Sequence, residues 1–353
     1  MAFPKKIAVF RTDRIGDLVL STPVFRELRG AFPEAHIAAV VRSPAADILR
    51  GNPHLSEIIQ DSQAETVVEM TRKIRNRKFD TAVVLFSDKR IMKIIRRSGV
   101  PERIGPLSGV RSYFSYNRGV RQNRSASRKH EAEYNLDLLR PLGIDPRPPV
   151  PEIFLSETER TEAHTLLKES GIQGSRYACV HPGMGHSALN WKPEYYARLA
   201  DRLAEEYSMP VILTGGPADR EMIDRVLEHC TRRHIDICGR TGLRQLGAVF
   251  EKAVLVAAPS TGPLHMAAAL GTPVFSVYSP VRVQSAKRWG PIGENSHVLT
   301  PHVSCAGKYR CRKERCADFF CMDAVTPDQV LEAVARHTGG DPSAFRDTTP
   351  GTV

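Results

Sequence analysis

The sequence predicts an α/β chain of two consecutive doubly wound domains, and three observations carry that expectation. Short apolar runs alternate with amphipathic stretches through roughly the first 140 residues. A Pro-rich stretch then interrupts this alternation, which restarts beyond it. The length, 353 residues, suits two domains better than one. Strands alternating with helices at this spacing form βαβ units and a parallel sheet.

In the first half, Lys6 to Phe10 reads as a buried strand, TDRIGD as a loop and Leu18 to Gly30 as an amphipathic helix. His36 to Val41 is a second strand, followed by a helical stretch near Ala45 to Arg50. Glu57 to Gln60 is a third, leading to a basic helix that ends near Arg77. Thr81 to Phe86 is a fourth strand and Asp88 to Arg97 a helix, whereas 110–127 loosens into a surface loop. A helix near Glu131 to Leu139 closes this half. The stretch PLGIDPRPPVPEIFLS has five prolines and reads as a linker.

In the second half, Tyr177 to His181 and Pro210 to Thr214 read as strands, each leading through a Gly-rich turn to a helix (Pro193 to Tyr207, Asp219 to Glu228). His234 to Cys238, Leu243 to Lys252, Val254 to Ala258, Gly262 to Leu270 and Val274 to Tyr278 continue the rhythm. The expected domains are 1–150 and 151–338, with a frayed tail over 339–353.

Apolar residues make up 41% of the chain, which excludes global disorder, and no apolar run approaches the length of a bilayer span. With no signal-peptide pattern at the start, the expected location is the cytosol. Arg72 to Lys129 holds seventeen Lys or Arg against three acids, or +14, so the rest of the +11 chain carries −3. One strongly basic segment on an acidic body suggests an anionic partner; for any single Arg, solvated surface is the simpler reading.

In doubly wound folds, ligands sit beyond the carboxyl ends of the strands. In RTDRIGDLVLSTP, Gly16 permits a tight turn and Asp17 starts the next helix. Asp17 is either a helix-end carboxylate favoured by the dipole or a general base facing a ligand, with Asp13 as its rival and Arg11 and Arg14 as anion holders. In APSTGPLHMAAALG, Ser260, Thr261, Gly262 and Pro263 open a small-residue helix with His265 one turn in. That is a phosphate site or ordinary capping. In HPGMGHSALNWKPE, Gly183 and Gly185 allow close backbone approach, with Ser187, Asn190 and Lys192 as polar partners; Trp191 reads as packing. No HExxH, GxSxG or GxxxxGK[ST] is present, which removes metalloprotease, elbow-hydrolase and P-loop readings.

The strings RTDRIGDLVLSTPVFRELRGAFP, RKFDTAVVLF, HPGMGHSALNWKPEYYARLADRL, VILTGGPADRE and STGPLHMAAALGTPVFSVYSP resemble the ADP-heptose–lipopolysaccharide heptosyltransferases, glycosyltransferase family 9. The resemblance spans most of residues 5–280. It implies a GT-B fold of two Rossmann-like domains facing across a cleft, an ADP-heptose donor on the second and a lipopolysaccharide inner-core acceptor on the first. It implies that Asp17 is the base of an inverting, metal-independent transfer, and that Thr261, Gly262 and His265 contact the donor diphosphate. Ser260 replaces the usual acid before TG, and Leu189 stands where several members have Lys, with Lys192 after Trp191 instead. Arg111, Arg118, Arg121, Arg124 and Arg128 lie in the expected acceptor domain, where they would meet a phosphorylated acceptor or the anionic inner-membrane face.

Cys305, Cys311, Cys316 and Cys321 cluster within seventeen residues. In a reducing compartment they read as a structural Zn or Fe site or as free thiols, with disulfides last. The other readings are a GT-B transferase with another nucleotide sugar or a protein acceptor, and a nucleic-acid binder using the basic segment. The last explains neither the Gly-rich loops nor the second domain, so no nucleic-acid partner is expected.

Overall fold

The computed structural model describes residues 4–172, 176–185, 188–305, 307, 310–312, 315–316 and 320–341. The chain divides into two compact units, 1–154 and 155–353, and the division falls inside the Pro-rich stretch.

The N-terminal unit runs β1 (Lys6–Arg11), α1 (Ile15–Val19), α2 (Thr22–Ala31), β2 (His36–Arg42), β3 (Glu57–Asp61), α3 (Val67–Asn76), β4 (Thr81–Val84), α4 (Lys89–Ser98), β5 (Glu102–Leu107), α5 (Val110–Ser115), β6 (Arg118–Arg121) and α6 (Glu131–Asp137). Six parallel strands lie in the order β3-β2-β1-β4-β5-β6. The apolar runs of β1, β2 and β4 are buried on both faces, as central strands of a covered parallel sheet must be. One face packs Ala8, Phe10, Ala38, Val40, Ala82 and Val84 against Met70 and Ile74 of α3 and Ile91, Ile94 and Ile95 of α4. Thr66 caps α3 in a reciprocal box with Glu69, and the Asp88 side chain accepts from Ile91 N to start α4.

Three expectations for this unit are corrected. The single helix over Leu18 to Gly30 is two, α1 and α2, because Pro23 lacks the N–H that would continue the first. The helical stretch near Ala45 is a 3₁₀ turn over Ser43–Leu49. The expected loop over 110–127 contains α5 and β6, and β5 precedes it. At Gly119 of β6 a Cβ would lie 2.3 Å from the Leu107 side chain of β5, which would have to move aside.

The C-terminal unit runs α7 (Glu157–Glu169), β7 (Ala178–Val180), α8 (Pro193–Glu206), β8 (Val211–Leu213), α9 (Arg220–His229), β9 (Ile235–Asp236), α10 (Leu243–Lys252), β10 (Leu255–Ala257), α11 (Gly262–Ala269), β11 (Val274–Val277), α12 (Ala286–Trp289), β12 (Ser296–Leu299) and α13 (Pro327–His337). Its six strands are also parallel, in the order β12-β11-β10-β7-β8-β9. Read from the other edge, this repeats the strand order of the first unit. Alternation along β7 sends Ala178 and Val180 to a core with α8, α9 and α13, and Cys179 to a core with α7, α10 and α11. The sequence reading had no α7, α13 or β12.

In both sheets the order reverses beside the first strand: between β1 and β4 in one unit, and between β7 and β10 in the other. Connections leave these two strands in opposite directions, so their loops part and open a crevice. The loops at these switch points are the ones that hold Asp17, Gly183 and Thr261.

Candidate active site

The loop after β1 is organised by a buried cation. Arg11 is 2% exposed, and its guanidinium meets Asp13 (Nε–Oδ1, 2.8 Å), Asp17 (Nη2–Oδ1, 2.6 Å) and Glu131 of α6 (Nη1–Oε1, 3.2 Å). Its Nη1 also donates to Asn135 Oδ1 at 3.0 Å. Asn135 in turn donates to Ser21 Oγ, and Ser21 Oγ donates to the Asp17 carbonyl, so α6 fixes the β1–α2 connection from behind. Arg124 adds a second cation through Glu131 (2.5 Å). Burial pushes the Asp13 carboxyl up to about 7, against the pull of Arg11 and with the Asp17 charge adding to it. Asp17 lies in the first turn of α1, with one oxygen held by Arg11 and its side chain 13% exposed. A carboxylate oriented by one oxygen can take a proton on the other.

Arg11, expected from the sequence to hold an acceptor anion, here directs its donors to this carboxylate cluster and to Asn135. Arg118 and Arg124 likewise have partners within the unit. Arg118 pairs with Glu102 at 2.7 Å and donates to the Pro141 carbonyl; Arg124 pairs with Glu131, donates to Gln122 and lies over the Tyr134 ring. Arg14, at the α1 N-cap, is exposed, as are Arg111, Arg121 and Arg128.

In the C-terminal unit, the loops after β7 and β8 interlock. A Cβ on Gly183 would lie 2.3 Å from Asp219 Cγ, so a side chain there would have to displace the Asp219 carboxylate that ties the two loops together. Asp219 Oδ2 accepts from Gly216 N at 2.8 Å, and His181 Nδ1 is 2.9 Å from Thr214 Oγ1. Burial lowers His181 to about 4, so it is neutral at pH 7 and can donate a hydrogen bond without bringing charge. Gly185 has open space where a Cβ would point.

Asn190 and Lys192, expected to reach the donor, are occupied by the protein itself. Asn190 donates to the Pro182 carbonyl and accepts from Trp191 N and from Tyr196 Oη. Lys192 Nζ is 3.0 Å from Asp323 Oδ2 and lies over the Tyr195 ring. Trp191 is buried and donates to the Val325 carbonyl, the packing role expected of it. Ser187 lies outside the described residues.

The loop after β10 leads into α11. Thr261 is its N-cap residue in an extended conformation and makes no side-chain capping bond, so its hydroxyl is not spent on the helix. Ser260 meets the buried Tyr278 hydroxyl. Gly262 and Pro263 open the first turn; Pro263 has no N–H, Leu264 is fully buried and His265 N donates to the Thr261 carbonyl, which leaves the N–H of half-buried Gly262 as the first-turn donor at this end. His265 is buried, not on the surface as simple capping would have it. The sequence reading missed His181 and Asp219. A histidine ending a strand beside a switch point was the available signal for the first.

Cys305, Cys311, Cys316 and Cys321 line one cavity of about 10 Å³, with Gly307 N donating to Cys305 Sγ at 3.3 Å. Burial and the neighbouring thiols push Cys321 up. Among the described residues, the group of His, Cys and carboxylate ligand atoms gathered within 4.8 Å is Asp201, Cys230 and His234. There Asp201 already bonds His234 and Thr231, which makes it a hydrogen-bond network tying α8 to the start of β9.

Comparison with known proteins gives one consistent picture. The family model described as glycosyltransferase family 9 (heptosyltransferase) matches residues 67–317. The lipopolysaccharide heptosyltransferase 3 of Escherichia coli K12 is 25% identical over 281 residues, covering 74% of this chain and 79% of that one. The crystal structure of a family 9 glycosyl transferase from Veillonella parvula superposes with a TM-score of 0.85 at 22% identity, over 95% of this chain and 98% of that one. The E. coli ADP-heptose lipopolysaccharide heptosyltransferase II does so with a TM-score of 0.76 at 22% identity, over 94% and 98%.

Proposed function

Because the chain belongs to glycosyltransferase family 9, we propose that it moves a heptose from ADP-heptose to a sugar of the lipopolysaccharide inner core, with Asp17 as general base. The observation that carries this reading is the Asp17 carboxylate, held through one oxygen by buried Arg11 at a sheet switch point. The names of the relatives support donor and acceptor alike.

In the transfer, the acceptor hydroxyl oxygen bonds to the anomeric carbon as that carbon's bond to the diphosphate breaks. The hydroxyl proton passes to Asp17, and ADP leaves with the bonding pair, inverting the centre. The second unit's task is then to stabilise the negative charge on the departing diphosphate. The start of α11 is assigned to this task through the Gly262 N–H, the Thr261 hydroxyl and the helix dipole. Exposed Arg14, Arg121 and Arg128 are assigned to acceptor phosphates. No helix among the described residues is long and apolar enough to cross a membrane.

Calorimetry with ADP, GDP and UDP tests the donor. ADP should bind at least about tenfold tighter than the other two, and Thr261→Val should weaken it about tenfold, the cost of one hydrogen bond to a charged group. Equal affinities would leave the family and fold standing and remove ADP-heptose in favour of another nucleotide sugar.

The four clustered cysteines are proposed as a structural zinc or iron site, since thiols around a cavity the size of one water suit a single ion. No three of their sulfurs lie within 4.8 Å of one another, so binding would draw them together. Purified protein should then carry about one equivalent of metal and release it as the thiols are titrated. Metal-free protein with four reactive thiols would refute the assignment.

A further inference from the structure

The sequence KRIMKIIRRS makes α4 two-faced. Ile91, Ile94 and Ile95 are buried on the sheet, whereas Lys89, Lys93 and Arg96 share the outward face with half-buried Met92. The next helix, α5, buries Ser112 and Ser115 and turns its apolar side chains outward: Val110 is 75% exposed, Tyr113 54% and Phe114 71%. Between α4 and α5 is an open pocket of about 400 Å³, lined by Lys89, Lys93, Arg96 and Arg111 together with Met92 and Phe114.

Two features set this pocket apart. Six other cations of the basic segment are paired, Lys73 with Glu65, Arg77 with Glu57, Arg90 with Asp61, Arg118 with Glu102, Arg124 with Glu131 and Lys129 with Asp137, whereas Lys78, Arg97, Arg121 and Arg128 make no ion pair among the described residues but do not line the pocket. The four pocket cations make no ion pair among the described residues. Four like charges held together repel one another, an arrangement that calls for an anion. The second feature is the exposed aromatic and aliphatic surface beside them. Water penalises that surface, and a soluble anion alone would leave it uncovered.

We propose that the α4–α5 pocket docks this protein on an anionic phospholipid bilayer, its cations holding headgroup phosphates while Tyr113 and Phe114 seat at the acyl-chain boundary. Cations ringed around interfacial aromatics meet both layers of such a surface at once. Paired charge deeper in the unit would contribute little, since it is already compensated. The inference rests on the glycosyl-transfer reading only in supplying a reason to be at a membrane, where a lipid-borne acceptor resides.

The test is co-sedimentation of the full chain with phosphatidylcholine vesicles containing 30% phosphatidylglycerol (about that fraction suffices for a strong surface charge), against vesicles of phosphatidylcholine alone. Wild type should bind the anionic vesicles, release with salt, and ignore the neutral ones. The double substitution Lys93→Gln with Arg96→Gln should weaken binding about 25-fold, at about fivefold per cation. Phe114→Ser should weaken it while leaving the salt dependence unchanged. ADP calorimetry on each variant keeps the two readings apart: intact ADP affinity with lost vesicle binding supports docking. Vesicle binding without ADP affinity in wild type would sink the donor reading and leave docking in place. Equal binding to both vesicles, variants that bind like wild type, or single-stranded RNA captured more tightly than vesicles through the same residues would each overturn the proposal.

Discussion

Asp17→Asn is expected to keep the fold and the ADP affinity while lowering kcat by about 10³-fold, within the range for losing a general base. The amide is isosteric, and its oxygen can still accept from Arg11 Nη2, so the loop after β1 stays in place. It cannot take a proton. Stability should hold or rise slightly, because the buried cluster sets Asp13, Asp17 and Glu131 against Arg11 and Arg124, and the change removes its excess negative charge. Initial rates of ADP release at saturating acceptor give the answer, with Asp13→Asn measured in parallel. A loss below tenfold in Asp17→Asn would remove its role, and a larger loss in Asp13→Asn would transfer the role to the rival carboxylate.

The alternating core strands and the switch-point loops were legible because their signals are local. The run Lys6 to Phe10 with the Thr-Asp-Arg-Ile-Gly-Asp that follows Arg11 states a strand, a turn and a helix start within one window. The edges were not. β5 contains Gly105 and Pro106, β6 is Arg-Gly-Val-Arg, and β12 is Ser-His-Val-Leu with Val298 exposed and the other three half-buried, so none shows a continuous apolar run. Helices α7 and α13 did carry a sign that went unread, the capping boxes Ser156–Glu159 and Thr326–Gln329. The surroundings of Arg11 were not legible for a different reason. The partners that bury it, Glu131 and Asn135, lie 120 and 124 positions away, beyond any local pattern. Lys192 shows the same limit, since Asp323 holds it from 131 positions away.

Arg11→Met should cost about 3–5 kcal/mol at pH 7, the range for leaving a buried charge without its partner. Glu131 would keep Arg124, but Asp13 and Asp17 would lose the cation that both contact. The cost should also depend on pH. The folded protein holds the Asp13 proton up to about 7, against about 3.9 for an ordinary Asp, so between those values the folded state binds more protons than the unfolded one. That contribution is complete below about pH 4 and is lost as pH rises through 7. Wild type should therefore become less stable from pH 5 to pH 8, and Asp13→Asn should flatten the slope. In Arg11→Met, acid neutralises one of the two stranded carboxylates, so the deficit should shrink at pH 5 and grow at pH 8. Urea unfolding of the three proteins at both pH values measures this. An Arg11→Met deficit that is the same at both would mean Asp13 does not titrate in this window. A deficit below about 1 kcal/mol would mean the cluster does not depend on its central cation.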